Sequence, residues 1–385
     1  MPEQPAKPSC RDRHLFGPGP KRILSLDGGG VRGAISIAFL ERLEEVVGEI
    51  EGRPTRLGDW FDLIGGTSTG AIIASGLALG FSAREIHKFY TELAARVFRR
   101  PLWRVAGVLS KFDRRLLMRE LDGVLETRTL ESGDLRTGLG IVTKRLDTGS
   151  CWFLANNPRS MFWDDPPDNA YRGNKHYRLS HVVRASAAAP HYFDPELIHI
   201  VDREPPGLFI DGGLTPHNNP ALQLLLYAAL PQYGLAWPLG ANNLTIVSVG
   251  TGYSRPRVGL RELRWIRPIG MAIRALGAQV AESQQLVLTL MSWLGESPTA
   301  WPINRELGDV GQVPAPFGQP LFRFLRYDIR IDQDWLAQEV GVTLDEKRVA
   351  HYRLLDAPEN IPAIYELGVK AAARQIRRQD LAGGA

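Results

Sequence analysis

The run Gly-Thr-Ser-Thr-Gly at residues 66–70 is the feature that most constrains how this chain can fold. It has the G-x-S-x-G form, in which a serine stands on a tight turn between a buried strand and a helix. Apolar residues at 60–64 predict the strand, and those at 71–74 predict the start of the helix. Ordinary loops also contain these residue types, but this context favours a nucleophilic Ser68 at a helix N-terminus. Partial positive charge there favours a developing anion.

A second segment, Asp27-Gly28-Gly29-Gly30-Val31-Arg32-Gly33, lies between a predicted strand and a predicted helix. Three adjacent glycines leave backbone N–H groups uncovered, which makes a cradle for a phosphate or for the oxyanion of an acyl intermediate. Gly28, Gly30 and Gly33 also have the G-x-G-x-x-G spacing of a dinucleotide-binding turn. A nucleotide-binding Rossmann protein is therefore an alternative, although it leaves the serine turn unexplained.

A third segment, residues 208–213, carries an aspartate from a short apolar strand into a pair of glycines. In isolation Asp211-Gly212-Gly213 is typical of an ordinary turn. The chain order of glycine loop, serine turn and aspartate is a combination that few acyl-transfer enzymes show.

These motifs, D-G-G-G-x-R-G, G-T-S-T-G and D-G-G, resemble those of the patatin-like phospholipase family. Further similar segments stand at 183–190, 218–220, 247–252 and 355–360. The resemblance covers residues 20–253 well and the remainder loosely. It implies an α/β fold of three layers, with a mostly parallel central sheet and helices on both faces.

The resemblance also implies a serine–aspartate dyad, with Ser68 as nucleophile and Asp211 as general base, acting on acyl esters of membrane glycerophospholipids without cofactor or metal. The implied oxyanion hole consists of Gly28, Gly29, Gly30, Arg32 and Thr69, where Arg32 would steady the loop or meet the phosphate of the lipid head group. The remaining motif glycines are Gly33, Gly66, Gly70, Gly212 and Gly213.

A Ser-His-Asp triad is the competing hydrolase scheme. Its histidine would follow the acid, which leaves His217 and His351 as candidates if Asp211 is that acid. Neither lies in a recognisable motif. The cysteines and histidines also lack the spacing of a zinc site.

The composition is that of an ordinary globular protein with two cysteines, which suits a reducing compartment. Residues 1–20 are rich in proline and basic residues and predict a flexible leader that is no signal peptide. We expect a catalytic domain at 21–253 and a helical and strand extension at 254–385 packed on it. The expected location is the cytoplasm, peripheral at the inner membrane when active.

Two basic stretches, 96–119 and 255–274, alternate cationic and aromatic residues. Such stretches suit an anionic bilayer surface or nucleotide phosphates, and alternatively the arginine stems cover edges of the core. A net charge of +4 is too small to suggest nucleic-acid binding. The single-domain layout and residues 156–158 resemble bacterial patatin-like effectors of antiphage signalling, which implies a cyclic dinucleotide or trinucleotide activator. A constitutive lipid acyl hydrolase is the alternative, and homo-oligomer formation stays open.

Overall fold

The fold is built on one mixed, mostly parallel β-sheet. The computed structural model describes residues 8–98, 110–254, 268–299 and 301–382. Within these residues the sheet has eight strands, which are β1 (Lys21–Leu26), β2 (Leu63–Thr67), β3 (Gly138–Arg145), β4 (Cys151–Ala155), β5 (Glu196–Ile198), β6 (Gly207–Asp211), β7 (Leu244–Val249) and β8 (Arg323–Tyr327). Seven of them follow the order β5-β6-β3-β2-β1-β7-β8, and β4 pairs with β3 off this path.

Helices cover both faces of this sheet. They are α1 (Cys10–Phe16), α2 (Gly33–Glu51), α3 (Leu57–Trp60), α4 (Thr69–Ala78), α5 (Ala83–Val97), α6 (Arg114–Leu125), α7 (Leu179–Ser186), α8 (Ala221–Ala229), α9 (Pro268–Leu294), α10 (Gln333–Trp335), α11 (Glu346–Tyr352), α12 (Ile361–Gln375) and α13 (Arg378–Ala382). A capping box begins α5: Ser82 and Glu85 satisfy each other's backbone N–H groups.

Alternating side chains of the strands divide the core into two layers. In β1, Ile23 packs with α1, α8 and α9, whereas Leu24 and Leu26 pack with α2, α4, α5 and α12 on the other face. This alternation follows from the two-residue period of a strand. The predicted α/β fold with helices on both faces is therefore confirmed.

Two expectations about local structure are wrong. The strand predicted at 60–64 begins later, at Leu63, because α3 takes up residues 57–60. The predicted flexible leader is ordered from residue 8 onward. Ser9 caps α1, and Leu15 is buried against the sheet while its carbonyl accepts a hydrogen bond from the Trp237 indole at 2.9 Å.

The segment after residue 268 is built into the same sheet. Strand β8 pairs in parallel with β7, and α12 packs along α2. Most of the basic stretch 255–274, residues 255–267, lies outside the described residues, and so do residues 99–109 of the stretch 96–119. In the part of the chain that is described, no helix has both the length and the apolar character needed to cross a bilayer.

Candidate active site

Ser68 stands on a sharp turn between β2 and α4. Its φ of 55° and ψ of −121° lie in a region that residues other than glycine rarely adopt. A side chain at Gly66 would overlap the carbonyl oxygen of Gly70, and a side chain at Gly70 would overlap the Leu26 carbonyl. The turn can therefore form only because both positions are glycine. Strain of this kind is typical of a nucleophile held clear of its own backbone.

The sheet brings Asp211 next to this serine. β2 and β6 both flank β3, where Thr67 pairs with Val142 and Asp211 pairs with Thr143. The Ser68 hydroxyl donates a hydrogen bond to Asp211 Oδ2 at 2.6 Å. The two residues that the sequence predicts as a dyad are therefore in direct contact.

The surroundings of Asp211 make it a stronger base than an ordinary aspartate. Its side chain is buried, and burial raises the pKa of its carboxyl to about 6, against the opposing effects of Ser68, the Gly213 N–H and the Arg184 charge. Oδ1 accepts the Gly213 N–H at 2.6 Å, which leaves Oδ2 facing the serine. The carboxylate is thus oriented and partly desolvated.

The end of α7 fixes both members of the dyad. The Ser68 N–H donates to the Ser186 hydroxyl at 2.9 Å, and that hydroxyl donates to the Val142 carbonyl at 2.6 Å. The Asp211 N–H donates to the Ala188 carbonyl at 3.0 Å. Since the Ser68 amide is used in this way, it is not available to an oxyanion.

The glycine loop faces the serine, but it differs from the prediction at Gly28. The Gly28 N–H donates to the Asn218 carbonyl at 3.0 Å, so we exclude it from the oxyanion hole. Among the described residues, the N–H groups of Gly29, Gly30 and Thr69 have no hydrogen-bond acceptor. These three amides remain the predicted oxyanion donors.

Hydrogen bonds to the loop carbonyls set the direction of these amides. The Gly28 carbonyl accepts the Thr251 hydroxyl at 2.9 Å. In a trans peptide the carbonyl and the next N–H point in opposite directions, so this contact turns the Gly29 N–H away from Thr251. A Cβ on Gly29 would overlap Thr251, which explains why this position is glycine.

The Gly30 carbonyl is held by two hydroxyls. Thr69 Oγ1 donates to it at 2.9 Å, and the Tyr90 hydroxyl donates as well. Gly30 has a φ of +55°, and a Cβ there would overlap the Leu355 carbonyl. That carbonyl accepts the Val31 N–H at 2.9 Å, so a C-terminal segment closes the loop from the other side.

Asp27, at the start of the loop, is buried in an ion pair with Arg326 of β8. Arg326 Nη1 and Nη2 donate to Oδ1 at 3.1 Å and Oδ2 at 2.7 Å. Arg326 also bonds Asp328 at 2.6 Å and the Ser248 hydroxyl at 2.7 Å, and Gln284 of α9 donates to Asp27 at 2.9 Å. The base of the loop is therefore fixed by residues far along the chain.

The remaining motif residues have structural contacts. The Arg32 N–H donates to the Gly29 carbonyl at 3.2 Å, so it is not an oxyanion donor, and burial lowers the pKa of its guanidinium to about 10. Its Nε atom is buried without a hydrogen-bond partner in the described structure. Gly33 packs against Thr69 and Tyr90, and Gly212 against Val142.

The triad alternative has no geometric support in the described residues. Neither candidate histidine is hydrogen-bonded to Ser68 or Asp211. His217 Nδ1 is buried without a hydrogen-bond partner, and burial lowers the pKa of this histidine. His351 lies at the surface, with its Nε2 atom 3.4 Å from Glu359 Oε1. The described ranges also contain no group of three or more His, Cys, Asp or Glu side chains placed to hold a metal ion.

Comparison with known proteins identifies relatives of this chain. A family model described as patatin-like phospholipase matches residues 24–225. The cGAMP-activated phospholipase of Vibrio cholerae is 31% identical over 242 residues, covering 60% of this chain and 64% of that protein. The cUMP-AMP-activated phospholipase of Escherichia coli is 30% identical over 241 residues, covering 62% and 67%.

A plant protein, patatin-like protein 1 of Arabidopsis thaliana, is 29% identical over 254 residues, covering 60% of this chain and 59% of that protein. The chain thus spans between 59% and 67% of the length of these curated relatives.

Proposed function

Because this chain belongs to the patatin-like phospholipase family, we propose that it cleaves acyl esters of membrane glycerophospholipids through a Ser68–Asp211 dyad. The observation that carries this proposal is the 2.6 Å hydrogen bond from the Ser68 hydroxyl to the buried Asp211 carboxylate. The dinucleotide-binding alternative for the 28–33 loop is wrong, because the family is that of a lipid acyl hydrolase.

In the first half of the reaction Asp211 takes the hydroxyl proton as Ser68 Oγ attacks the ester carbonyl carbon. The N–H groups of Gly29, Gly30 and Thr69 donate hydrogen bonds to the carbonyl oxygen and stabilise the negative charge that forms on it. When the tetrahedral intermediate collapses, the lysophospholipid alkoxide leaves with the proton from Asp211. The fatty acyl group remains as an ester on Ser68.

In the second half Asp211 takes a proton from water, whose oxygen attacks the acyl-enzyme ester. The same amides bind the second oxyanion. Collapse releases the fatty acid, and the proton returns to Ser68 Oγ. Arg32 lies beside these amides, and we propose that its guanidinium meets the head-group phosphate.

Release of fatty acid from phospholipid vesicles tests the dyad. We expect hydrolysis by the wild type and none by Ser68→Ala or Asp211→Ala. Ser75→Ala is the matched control, because Ser75 lies on the same helix and, within the described structure, its hydroxyl bonds only the Ala71 carbonyl of that helix. Hydrolysis that survives Ser68→Ala would contradict the mechanism.

We further propose that a cyclic dinucleotide or trinucleotide activates the enzyme, in bacterial antiphage defence at the inner membrane. The support is the similarity to relatives named as cGAMP-activated and cUMP-AMP-activated phospholipases. Vesicle hydrolysis measured without nucleotide, with cGAMP, with cUMP-AMP and with a cyclic trinucleotide tests this. Equal rates in all four conditions would favour a constitutive lipid acyl hydrolase.

A further inference from the structure

Helix α9 extends beyond the catalytic edge of the sheet. Its C-terminal end lies beside the start of β8, where the Leu321 N–H donates to the Leu294 carbonyl at 2.9 Å. Ten residues earlier, Gln284 contacts Asp27 just past the end of β1. The helix therefore runs antiparallel to the parallel strands and reaches their carboxyl ends at Gln284.

The helix geometry gives the length of the projecting part. The ten residues from Leu294 to Gln284 rise about 15 Å, close to the length of a five-residue strand. Residues 268–283 continue in the same direction for about 24 Å. Ser68 and Asp211 lie at this edge of the sheet, so the projecting part stands on the side from which substrate must come.

The two halves of α9 differ in burial. Val287, Leu288 and Met291 belong to the core layer beneath the sheet. The other side of this half is exposed, as at Leu286, which is 59% exposed. Among the described side chains of the projecting half, by contrast, none is buried, and Met271 and Leu276 are 49% and 55% exposed. The projecting half is thus an apolar element that the described structure leaves uncovered, which is typical of an interaction site.

Charge favours a lipid surface over a second copy of the chain. The projecting half itself carries one arginine and one acid, Arg274 and Glu282, but the sequence just before it, 255–267, has five arginines against Glu262. An anionic bilayer attracts an apolar element that follows such a cationic stretch. Two copies of it would repel each other.

We propose that residues 268–283 of α9 are the membrane-docking element of this enzyme, with Met271 and Leu276 entering an anionic bilayer beside the catalytic edge. This inference rests on the proposed function, because it takes the substrate to be a membrane lipid. Gln284, one residue further along, then joins the docked helix to the glycine loop through Asp27.

Vesicle sedimentation tests the docking. The double variant Met271→Glu/Leu276→Glu is compared with its parent in a Ser68→Ala background, so that the vesicles stay intact. Vesicles contain phosphatidylcholine alone or with phosphatidylglycerol. We expect the double variant to bind the anionic vesicles at least about tenfold more weakly, because two charges replace two inserted apolar side chains.

The matched control is Leu239→Glu. Leu239 is 40% exposed, but it lies near the amino ends of the strands, at the opposite edge from the site. We expect this variant to bind vesicles as its parent does. Unchanged binding by the double variant, or an equal loss in Leu239→Glu, would overturn the proposal. A change in the oligomeric mass of the double variant without lipid would overturn it in favour of a protein interface.

Hydrolysis separates this proposal from the proposed function. With Ser68 intact and cGAMP present or absent, the double variant should lose vesicle hydrolysis about tenfold and still cleave a monomeric short-chain p-nitrophenyl ester at the wild-type rate. Equal losses on both substrates would overturn docking. A wild type that cleaves neither substrate would contradict the proposed function, whereas binding in the Ser68→Ala background still decides docking.

Discussion

Two buried carboxylates, Asp27 and Asp211, lie at the same edge of the sheet and differ in their partners. Burial raises the pKa of each to about 6. Asp27 is clamped by both terminal nitrogens of Arg326, whereas Asp211 faces the neutral hydroxyl of Ser68. A proton taken up by Asp27 would weaken an ion pair, and a proton taken up by Asp211 would come from the nucleophile.

The two arginines near these carboxylates show the same contrast. Arg326 contacts its carboxylate directly, and the charges of Asp27 and Asp328 raise the pKa of Arg326 although burial opposes this. Arg184 acts on Asp211 through space, since its Nη2 donates to the Asp194 carbonyl at 2.9 Å. Direct pairing fixes a loop, and a cation held at a distance leaves the carboxylate free to accept a proton.

The largest expected effect is on catalysis by Asp211→Asn. The amide keeps the shape of the side chain but cannot take the Ser68 proton, so we expect kcat to fall about 10³–10⁴-fold, near the upper range for general-base catalysis. Initial rates on a soluble ester measure this. A variant that keeps a tenth of the wild-type rate would show that Asp211 is not the base.

The next effect is on stability, at Arg326. Arg326→Met leaves Asp27 and Asp328 buried without their counter-ion, and breaking such a pair costs about 3–5 kcal/mol of the free energy of unfolding. Arg323→Met on the same strand is the control, because its ion pair with Glu296 is partly exposed and contributes about 0–1 kcal/mol. Urea denaturation compares the two variants, and equal losses would contradict a buried structural pair.

Ser68 and Asp211, which the structure brings into contact, could be singled out from the sequence because the signals around each are local. A serine between two glycines, a strand before it and a helix after it are read within about a dozen residues, and Asp211 likewise ends an apolar strand. Pairing with β3 then brings the two residues together, although β2 runs parallel to β3 and β6 runs antiparallel to it. The ordered start of the chain was missed because its proline-rich composition outweighed the helix start signal at Ser9.

The contacts that tune the site could not be predicted in this way. Asp27 and Arg326 are 299 positions apart, and the acceptor for the Gly28 N–H is a backbone carbonyl, a group that every residue has. An arginine within the apolar run of β8 is a signal that could have pointed to a buried ion pair. Nothing in the sequence identifies Asp27 as the carboxylate that pairs with this arginine.

The third prediction concerns how stability depends on pH. Because the folded-state pKa of Asp211 is raised from 3.8 to about 6, folding favours its protonated form. That stability is fully present below about pH 4 and is lost as the pH rises through 6. At pH 7.5 Asp211→Asn should therefore be more stable than the wild type by about 3 kcal/mol, with the gap closing near pH 4.

Asp27→Asn sharpens this comparison. The pKa of Asp27 is raised as well, even beside Arg326, so folding favours its protonated form and Asp27→Asn should also gain stability at pH 7.5. Urea titrations of both variants at pH 4.5 and 7.5 measure the difference. A destabilising Asp27→Asn would mean that the ion pair with Arg326 outweighs the cost of burying the Asp27 charge.

A smaller effect is expected from Arg184→Met on the pH dependence of kcat/KM. The wild-type rate should fall below about pH 6, where Asp211 becomes protonated. Without the Arg184 charge the pKa of Asp211 rises further, and we expect the acidic limb to move up by about one pH unit. The other charges near Arg184 are Glu196, Arg114 and Asp194.

Two variants serve as controls for that shift. Arg184→Lys keeps the charge and should keep the wild-type profile, and Arg178→Met, on an exposed arginine just before the same helix, should leave it unchanged. A purely structural role would lower the rate at every pH. If the pH profiles of kcat/KM for the wild type and Arg184→Met coincide once their maxima are scaled to the same value, Arg184 has no electrostatic effect on Asp211.

The smallest effect is expected at Thr251, whose hydroxyl orients the Gly29 N–H through the Gly28 carbonyl. Thr251→Val keeps the shape and removes this hydrogen bond, whose net contribution is about 0.5–1.5 kcal/mol. An oxyanion donor acts in the transition state, so the loss should appear as a fall in kcat of up to about tenfold with KM unchanged.

Thr137→Val is the control, because the Thr137 hydroxyl also donates to a buried carbonyl, that of Phe61, but at the opposite end of β3. It should lose similar stability and keep its kcat. Equal falls in kcat would mean that general loosening of the fold, not the direction of one amide, limits the rate.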